Sequence, residues 1–412
     1  MALWGVVSPR GPSCFRLPES PGLGLLGLPE KRRHLAVGVC LMLTRRGFLR
    51  QSGCVAAACT LGSRRERATA ELLPALKEAR FYQKLGDGKV NCQLCFRQCA
   101  IPQGSRGFCR NRENRGGTLY SMVYGRAAAV QLDPIEKEPM FHNLPGTDIL
   151  CTGTASCNFR CKFCQNWHLS QRTPEELQPA TLHASPEDIV NAAREAEAGL
   201  SFTYNEPTVF YEFMYDIARI GKEQGLNTIF HTNGGMQADP LKALLAHMCG
   251  VTVDLKGFTA DYYKDVSFAR MAPVLETLKL IKREGTWLEI VNLVVPTLND
   301  DVQMIQEMCR WIRENLGPEV PLHFSRFFPA YRMTHLPPTP IRTLEQAREI
   351  AVKEGMQFVY VGNVPGHRFN STFCPKCNRV IVSRLHFTVM NVNIQNGKCW
   401  YCGCPIPGIW AG

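Results

Sequence analysis

Short apolar segments alternate with helical patterns through most of this 412-residue chain. Seven segments have the length and apolar content of buried strands: 149–151, 200–203, 228–232, 251–255, 288–294, 322–324 and 358–361. Six segments between them have helical periodicity: 186–198 with Ser185 as N-cap, 209–224, 241–248, 271–283, 302–315 and 344–353. Repeated strand and helix units require parallel strands, because each crossover helix returns the chain to the same edge of the sheet. The pattern therefore predicts an α/β fold, a full or partial (βα) TIM-like barrel.

Polar residues fall at the carboxyl ends of consecutive predicted strands, where barrel enzymes hold their active sites. In chain order they are Asn205 and Glu206, then His231 and Asn233, then Asp254 and Lys256. Singly, such residues are typical of ordinary turns. Their succession indicates a site that grips a ligand with carboxylate, amide, imidazole and ammonium groups.

Three cysteines, Cys157, Cys161 and Cys164, follow the first of these strands with the spacing Cys-x3-Cys-x2-Cys. Three thiolates can hold three irons of a [4Fe-4S] cluster and leave the fourth iron without a protein ligand. A cluster that only transfers electrons normally takes a fourth cysteine. The triad therefore predicts a catalytic cluster with an open iron, in preference to three unpaired thiols.

Two further cysteine groups flank the predicted barrel. Upstream, after a helical pattern at 70–84, stand Cys92, Cys95, Cys99 and Cys109. Their spacing predicts a closed four-thiolate site for zinc or an auxiliary iron-sulfur cluster, with four metal-free thiols as the alternative. Downstream stand Cys374, Cys377, Cys399 and Cys402, with possible short strands at 380–384 and 387–390 between the two pairs. This second group predicts a zinc ribbon.

Charge and composition exclude several function classes. The net charge of +11 comes from the first 115 residues, and the remainder is close to neutral, without the basic face that nucleic-acid binding requires. No apolar run approaches the roughly 20 residues that span a bilayer, so no integral membrane segment is predicted. Nineteen cysteines, largely in Cys-x2-Cys units, favour metal thiolates in a reducing compartment over a disulfide framework.

Residues 1–70 have the composition of a basic, largely disordered leader. Within it, Arg45 and Arg46 precede a mildly apolar segment at 54–62, which resembles a twin-arginine export signal, with Met42 as an alternative start. The segment lies far from Met1, and the basic residues at 64–67 oppose translocation. We therefore expect a cytoplasmic protein, with twin-arginine export as the alternative.

The triad, with Phe163 just before its last cysteine, resembles the signature of radical S-adenosylmethionine (SAM) enzymes. From residue 91 onward the chain resembles more closely the radical SAM member of the AmmeMemoRadiSam system, which is related to pyruvate formate-lyase activating enzymes. The matching motifs are the Cys92 group, Leu-Asp-Pro-Ile-Glu-Lys at 132–137, Cys-Gln-Asn at 164–166, Thr-Tyr-Asn-Glu-Pro at 203–207, Tyr-Val-Gly-Asn-Val-Pro at 360–365 and the terminal cysteine pairs.

This resemblance implies a chemistry and a set of roles. The amino and carboxylate groups of SAM would chelate the open iron, and one electron would cleave SAM to methionine and a 5'-deoxyadenosyl radical, which abstracts hydrogen from a substrate. Asn205 and Glu206 stand where a Gly-Gly-Glu element holds the SAM amino group, although this chain has Tyr-Asn-Glu there. His231 and Asn233 precede the ribose-side turn. Asp254 and Lys256 match an Asp-Leu-Lys element near the SAM carboxylate and ribose.

Composition, periodicity and cysteine spacing predict an organisation for the chain, and the resemblance implies partners. We expect a leader (1–70), an N-terminal cysteine-rich module (71–145), a radical SAM core (146–365) and a C-terminal module (366–412). The flanking modules are expected to shield the cluster from oxygen. Expected partners are a low-potential electron donor such as flavodoxin or ferredoxin, and Memo-like proteins of the same system; the substrate, such as a glycyl position of a partner protein, is unidentified. The competing hypothesis is an iron-sulfur electron-transfer or metal-binding protein without SAM chemistry.

Overall fold

The computed structural model describes residues 76–410, and the predicted leader, with Arg45 and Arg46, lies outside them. Strands β1 to β8 are Lys77–Glu78, Tyr82–Lys84, Val90–Cys92, Ala100–Ile101, Arg112–Arg115, Thr118–Ser121, Arg126–Ala127 and Ala129–Pro134. Strands β9 to β16 are Asp148–Gly153, Leu182–His183, Gly199–Phe202, Thr228–Thr232, Gly250–Asp254, Trp287–Val294, Leu322–Arg326 and Val359–Gly362. Strands β17 to β21 are Thr372–Phe373, Val380–Leu385, Thr388–Val392, Ile394–Gln395 and Lys398–Cys399.

The helices of the described residues cover most of the predicted helical segments. Helices α1 to α9 are Trp167–Ser170, Pro174–Leu177, Pro186–Glu195, Tyr211–Glu223, Ala238–Leu245, Ala260–Asp265, Met271–Glu284, Val302–Leu316 and Ile341–Lys353. Short 3-10 helices are Ile135–Lys137, Gln178–Ala180, Pro207–Phe210 and Arg368–Asn370. Ser185 caps α3 as predicted, because its hydroxyl accepts a hydrogen bond from the Asp188 N–H at 3.1 Å. None of the described helices is long and apolar enough to cross a membrane.

The central sheet has eight strands in the order β16-β15-β14-β13-β12-β11-β9-β8. The seven strands from β9 to β16 in this sheet pair in parallel, as the alternation of strands and helices predicted. Strand β8 pairs antiparallel with β9 and occupies the edge at which β16 would have to close a barrel. The closed form of the predicted barrel is therefore wrong, and the sheet is open across the described residues.

The segment before the first cysteine group is a hairpin, so the helix predicted at 70–84 is wrong where the structure describes it. Strand β2 pairs antiparallel with β3, and the Leu85 N–H donates to the Lys89 carbonyl at 2.8 Å across the turn. Asp87 and Gly88 have φ of 57° and 66°, the left-handed conformation that tight hairpin turns require. The two glycines of this turn override the helical spacing of the apolar residues before it.

A buried ion pair joins the N-terminal strands to the core. Arg112 on β5 donates from Nη2 to both carboxylate oxygens of Glu212 on α4, each at 2.8 Å, and the two side chains are 1% and 0% exposed. The Arg80 N–H donates to the same carboxylate at 2.7 Å. This pair fixes the strands that carry the first cysteine group against a core helix.

The C-terminal residues form a small antiparallel sheet in the order β17-β18-β19, and both predicted short strands are confirmed. Its Arg384 is fully buried and donates to the Phe141 carbonyl and to the Thr372 hydroxyl, both at 2.8 Å. Arg384 also lies 3.5 Å from Glu136, which is equally buried. The C-terminal sheet is therefore built into the wall of the core.

Candidate active site and metal centres

All nine residues predicted for the catalytic and SAM sites line one cavity of about 300 Å³ at the carboxyl ends of the parallel strands, here called the strand-end cavity. They are Cys157, Cys161, Cys164, Asn205, Glu206, His231, Asn233, Asp254 and Lys256. Parallel strands place their carboxyl ends on one side of the sheet, so residues far apart in the chain meet there. The structure thus brings together every member of this predicted set.

The cysteine triad lies on the loop that leaves β9. Gly153 ends this strand, and a Cβ at this position would lie 2.8 Å from the Thr203 carbonyl oxygen, so only glycine allows the two backbones to approach so closely. Ser156 follows with φ of 70°, which turns the chain toward the cavity. Cys161 is buried, whereas Cys157 and Cys164 are partly exposed to the cavity.

Asn205 holds the loop that carries the triad. Its amide Nδ2 donates to the carbonyls of Ala155 at 3.0 Å and Ser156 at 2.9 Å, and its Oδ1 accepts from the Thr154 N–H at 3.0 Å. These bonds use most of the capacity of the side chain. Within this structure Asn205 acts as a positioning residue for the triad, and a contact with SAM stays a prediction.

Glu206 ties the ends of β11 and β12 together. One carboxylate oxygen accepts from the Thr208 hydroxyl at 2.5 Å and the Thr232 hydroxyl at 2.7 Å, and the other accepts from the Asn233 N–H at 2.8 Å. Burial raises the pKa of Glu206 above its usual value, although these hydrogen bonds act in the opposite direction. Its second oxygen accepts this one hydrogen bond and so has acceptor capacity left, and Glu206 lines the strand-end cavity; its contact with the ammonium group of SAM stays a prediction.

His231, Asp254 and Lys256 form a charged group on the floor of the strand-end cavity. Lys256 Nζ donates to Asp254 at 2.8 Å, and His231 Nε2 lies 3.2 Å from the other Asp254 oxygen. Burial alone would raise the pKa of Asp254, but the charges of Lys256 and His231 hold it well below its usual range. His231 Nδ1 also lies 3.6 Å from Glu138, a residue with no predicted role.

The ionisation of His231 makes stability depend on pH. Burial lowers the pKa of His231, but Asp254 and Glu138 together raise it to about 10. The pKa of His231 in the folded protein lies above the ordinary value of 6.5. Protonated His231 therefore stabilises the fold fully below about pH 6.5, and this stabilisation is lost as the pH rises toward 10. Across that range we expect the free energy of unfolding to fall by a few kcal/mol more in the wild type than in His231→Gln. Urea unfolding at matched pH values measures the difference, and equal slopes for the two proteins would contradict the assignment.

Several residues of the strand-end cavity were missed from the sequence. They are Glu136, Lys137, Tyr204, Ser325, Asn363, Asn370 and Phe387. Some of them lie in the motifs at 132–137 and 360–365 that carried the family resemblance. The motifs were recognised, but no role in the site was predicted for these residues. Phe387 and Asn370 come from the C-terminal part of the chain, and no local pattern links them to a cavity at the strand ends.

The thiols of the triad are held in their neutral form until a metal binds. Burial raises the pKa of Cys157 well above its usual value, and burial raises the pKa of Cys161 to about 11. Metal binding must therefore release these protons, and it does so because a thiolate is a far better ligand than a thiol. The Asn233 amide lies 3.6 Å from the Cys157 sulfur and can donate to it.

Cys374, Cys377, Cys399 and Cys402, the Cys374 group, have sulfur atoms that all lie within 4.8 Å of one another. The Cys374 and Cys402 sulfurs are 3.6 Å apart, and those of Cys377 and Cys399 are 3.8 Å apart. A tetrahedral ion with bonds of about 2.3 Å to sulfur separates its ligands by about 3.8 Å. Between residues 76 and 410 this is the one group of three or more ligand side chains arranged to share a single ion.

Loss of the ion from the Cys374 group should loosen the cavity wall. In Cys377→Ala/Cys402→Ala we expect about one bound metal ion fewer per chain. We also expect the visible absorption of the cluster to bleach faster in air, because Phe387 and Asn370, from the same C-terminal part of the chain, line the strand-end cavity. Cys404→Ala is the matched control, since Cys404 is outside the group. Metal analysis and absorbance in air measure both effects. Retention of the ion in the double variant would refute the site.

The upstream cysteines, Cys92, Cys95, Cys99 and Cys109, are here called the Cys92 group, and they line a second, smaller cavity with Arg112 and Asn158. Burial raises the pKa of Cys92 to about 11 and that of Cys95 to about 12. The structure thus brings the four predicted ligands to one place. They are not arranged to share a single ion as the Cys374 group is.

Comparisons with known proteins agree with this geometry. The radical SAM superfamily matches residues 152–312. The chain is 46% identical over 331 residues to an uncharacterized protein, MJ0808, of Methanocaldococcus jannaschii, a match that covers 80% of this chain and 98% of that protein. It is 28% identical over 163 residues to the pyruvate formate-lyase-activating enzyme of Clostridium pasteurianum, covering 38% of this chain and 66% of that enzyme.

Among solved structures, a radical SAM methyltransferase from Sphaerobacter thermophilus aligns with a TM-score of 0.42 and 14% identity, covering 69% of this chain and 76% of that one. The family match includes the cysteine triad and much of the parallel sheet. The long alignment with MJ0808 covers 80% of this chain. This chain belongs to the radical SAM superfamily.

Proposed function

We propose that this radical SAM enzyme abstracts hydrogen from a substrate that enters the strand-end cavity, and that the substrate is a partner protein or a segment of one. The observation that carries the proposal is the convergence of three cysteines and six polar residues from consecutive strand ends on one cavity. A protein that only transfers electrons has no use for a cavity of about 300 Å³ beside its cluster. Similarity to a pyruvate formate-lyase-activating enzyme supports a partner protein as substrate.

The residues present fit a [4Fe-4S] cluster and SAM. Three thiols from one loop face the cavity, and beside them lie the carboxylate of Glu206 and the ammonium group of Lys256. A bound cluster with SAM supplies the electron and the adenosyl group for hydrogen abstraction. Within the protein, Glu206 would accept the SAM ammonium group, and Asp254 and Lys256 would orient its ribose and carboxylate. Asn205 and Asn233 hold the triad loop in place.

We further propose zinc for the Cys374 group, since four thiolates at tetrahedral spacing are typical of structural zinc. The main-chain N–H of Arg379 lowers the pKa of Cys377 to about 7, which favours the thiolate that a metal requires. A low-potential flavodoxin or ferredoxin is the proposed electron donor. Memo-like proteins of the AmmeMemoRadiSam system are the proposed partners, because the cysteine pattern of this chain resembles that of the radical SAM member of the system.

Electron paramagnetic resonance of the dithionite-reduced protein tests whether SAM binds at the triad. If an open iron binds SAM, addition of SAM shifts the resonances of the reduced cluster, because the ligands of one iron change. The same addition should leave the spectrum of Cys157→Ala/Cys161→Ala/Cys164→Ala unchanged. An unaltered wild-type spectrum at saturating SAM would overturn the proposal.

A further inference from the structure

The Cys92 group surrounds a cavity that lies directly beside the loop of the triad. The cavity is small, about 20 Å³, and its lining includes all four cysteines of the group. Two tight turns shape it: the Gln98 N–H donates to the Cys95 carbonyl at 3.1 Å, and the Arg110 N–H donates to the Gly107 carbonyl at 2.8 Å. Four thiols thus face one space from two turns, as ligands of a shared inorganic group do.

The spacing of these thiols distinguishes two kinds of group. The sulfurs of the Cys374 group are already at the separation that a single tetrahedral ion requires. The Cys92 group is not so arranged, and neither is the triad, which carries a cluster in this superfamily. A cubic iron-sulfur core holds its thiolate ligands further apart than one ion does. In the arrangement of its sulfur atoms, the Cys92 group therefore resembles the triad and differs from the Cys374 group.

Two buried donors without partners belong to residues that line the same cavity. Arg112 Nε and Asn158 Nδ2 donate to no acceptor within the described residues, although the two residues are only 1% and 0% exposed. Both residues line the cavity of the Cys92 group. A buried N–H without a partner costs about 1–3 kcal/mol, so these two groups indicate acceptors that a bound group supplies. The sulfides and thiolates of an iron-sulfur cluster accept such bonds.

Hydrogen bonds attach this cavity to the loop that carries the triad. The Ser156 hydroxyl donates to the Cys109 carbonyl at 2.5 Å, and Asn111 Nδ2 donates to the Ala155 carbonyl at 2.6 Å. On the other side, Arg97 Nε donates to the Asn158 carbonyl at 2.6 Å. The two cysteine groups are therefore separated by little more than one loop.

A side-chain path crosses that loop. Asn233 Nδ2 lies 2.8 Å from Asn158 Oδ1 and 3.6 Å from the sulfur of Cys157, while Asn158 also lines the cavity of the Cys92 group. Two guanidinium groups flank the path: Arg97, and Arg160, which donates to the Cys157 carbonyl at 2.5 Å. Positive charge beside thiolate clusters favours their reduced, more negative state.

From these contacts we infer that the Cys92 group binds a second [4Fe-4S] cluster, which exchanges single electrons with the cluster of the triad. An external low-potential one-electron donor reduces the second cluster from its 2+ to its 1+ state. That electron then passes to the triad cluster, and the second cluster returns to 2+. The exchange rests on the proposed function of the triad, whereas the binding of the second cluster does not.

Iron analysis of a variant without the triad tests the binding. Cys157→Ala/Cys161→Ala/Cys164→Ala leaves the Cys92 group intact and is reconstituted anaerobically with iron and sulfide. We expect about four irons and four sulfides per chain in this variant and about eight of each in the wild type. Zinc in place of iron at the Cys92 group, or no iron in the variant, would overturn the inference. This result does not depend on SAM cleavage, so it is separable from failure of the proposed function.

Spin coupling tests the electron exchange. In the dithionite-reduced wild type, two adjacent paramagnetic clusters should broaden or split each other's resonances. The triad variant should give one simple [4Fe-4S] signal, and Cys95→Ala/Cys99→Ala should give another. A wild-type spectrum equal to the sum of the two variant spectra would refute electron exchange between neighbouring clusters.

Discussion

Cys161→Ala is expected to reduce 5'-deoxyadenosine formation by at least about a thousandfold, a barrier increase of about 4 kcal/mol or more. Cys161 is the buried member of the triad, and two remaining thiolates do not retain a cluster that is bound by three. Burial raises the pKa of the thiols, so without iron they stay neutral and supply no alternative chemistry. Anaerobic assay of the nucleoside product, with iron content measured on the same sample, gives the result.

The matched control for this experiment is Cys249→Ala. Cys249 is partly exposed, lies near Lys222, and lines neither the strand-end cavity nor that of the Cys92 group. Its replacement should leave both iron content and product formation within about twofold of the wild type. Product formation by Cys161→Ala at a rate close to that of Cys249→Ala would contradict the role of the triad.

Arg112→Met is expected to lower the free energy of unfolding by about 3–5 kcal/mol. The side chains of Arg112 and Glu212 are 1% and 0% exposed, so the substitution leaves a buried carboxylate without its cation. One main-chain donor, the Arg80 N–H, remains to that carboxylate. Urea unfolding of the reconstituted protein measures this loss of stability as a lower urea concentration at half-unfolding. The iron content is determined on the same samples.

Arg219→Met provides the comparison for Arg112→Met. Arg219 and Glu223 form an exposed pair, 42% and 61% accessible, and solvent screening leaves such pairs little effect on stability. The double variant Arg112→Met/Glu212→Leu should recover part of the stability, because it removes the unpaired charge along with its partner. Equal losses in Arg112→Met and Arg219→Met would show that the buried pair does not hold the N-terminal strands to the core.

The parts of the site that sequence predicted are those set by local spacing or by a repeated topology. The triad is defined within eight residues, and its cluster requires no knowledge of the fold. Glu206, His231 and Asp254 were predicted because parallel strands bring their carboxyl ends together, whatever separates them in the chain. The same repetition predicted the seven parallel strands and the helices between them.

The remaining features depend on contacts between distant segments. Strand β8 takes the edge of the sheet by antiparallel pairing, and nothing in its own residues excludes a closed barrel. Phe387 reaches the strand-end cavity because buried Arg384 bonds to the Phe141 carbonyl, a contact across more than two hundred residues. The closeness of Cys109 to the triad loop depends likewise on hydrogen bonds between distant segments, from Ser156 to Cys109 and from Asn111 to Ala155. Periodicity and spacing carry no information on such pairings.

Product analysis of the wild-type protein tests the central claim most directly. The chain is reconstituted anaerobically with iron and sulfide, reduced with dithionite and incubated with SAM. We predict 5'-deoxyadenosine and methionine in equal amounts, formed only when the reductant is present. Absence of 5'-deoxyadenosine from a sample whose iron and sulfide contents show intact clusters would contradict the assignment of this chain as a radical SAM enzyme.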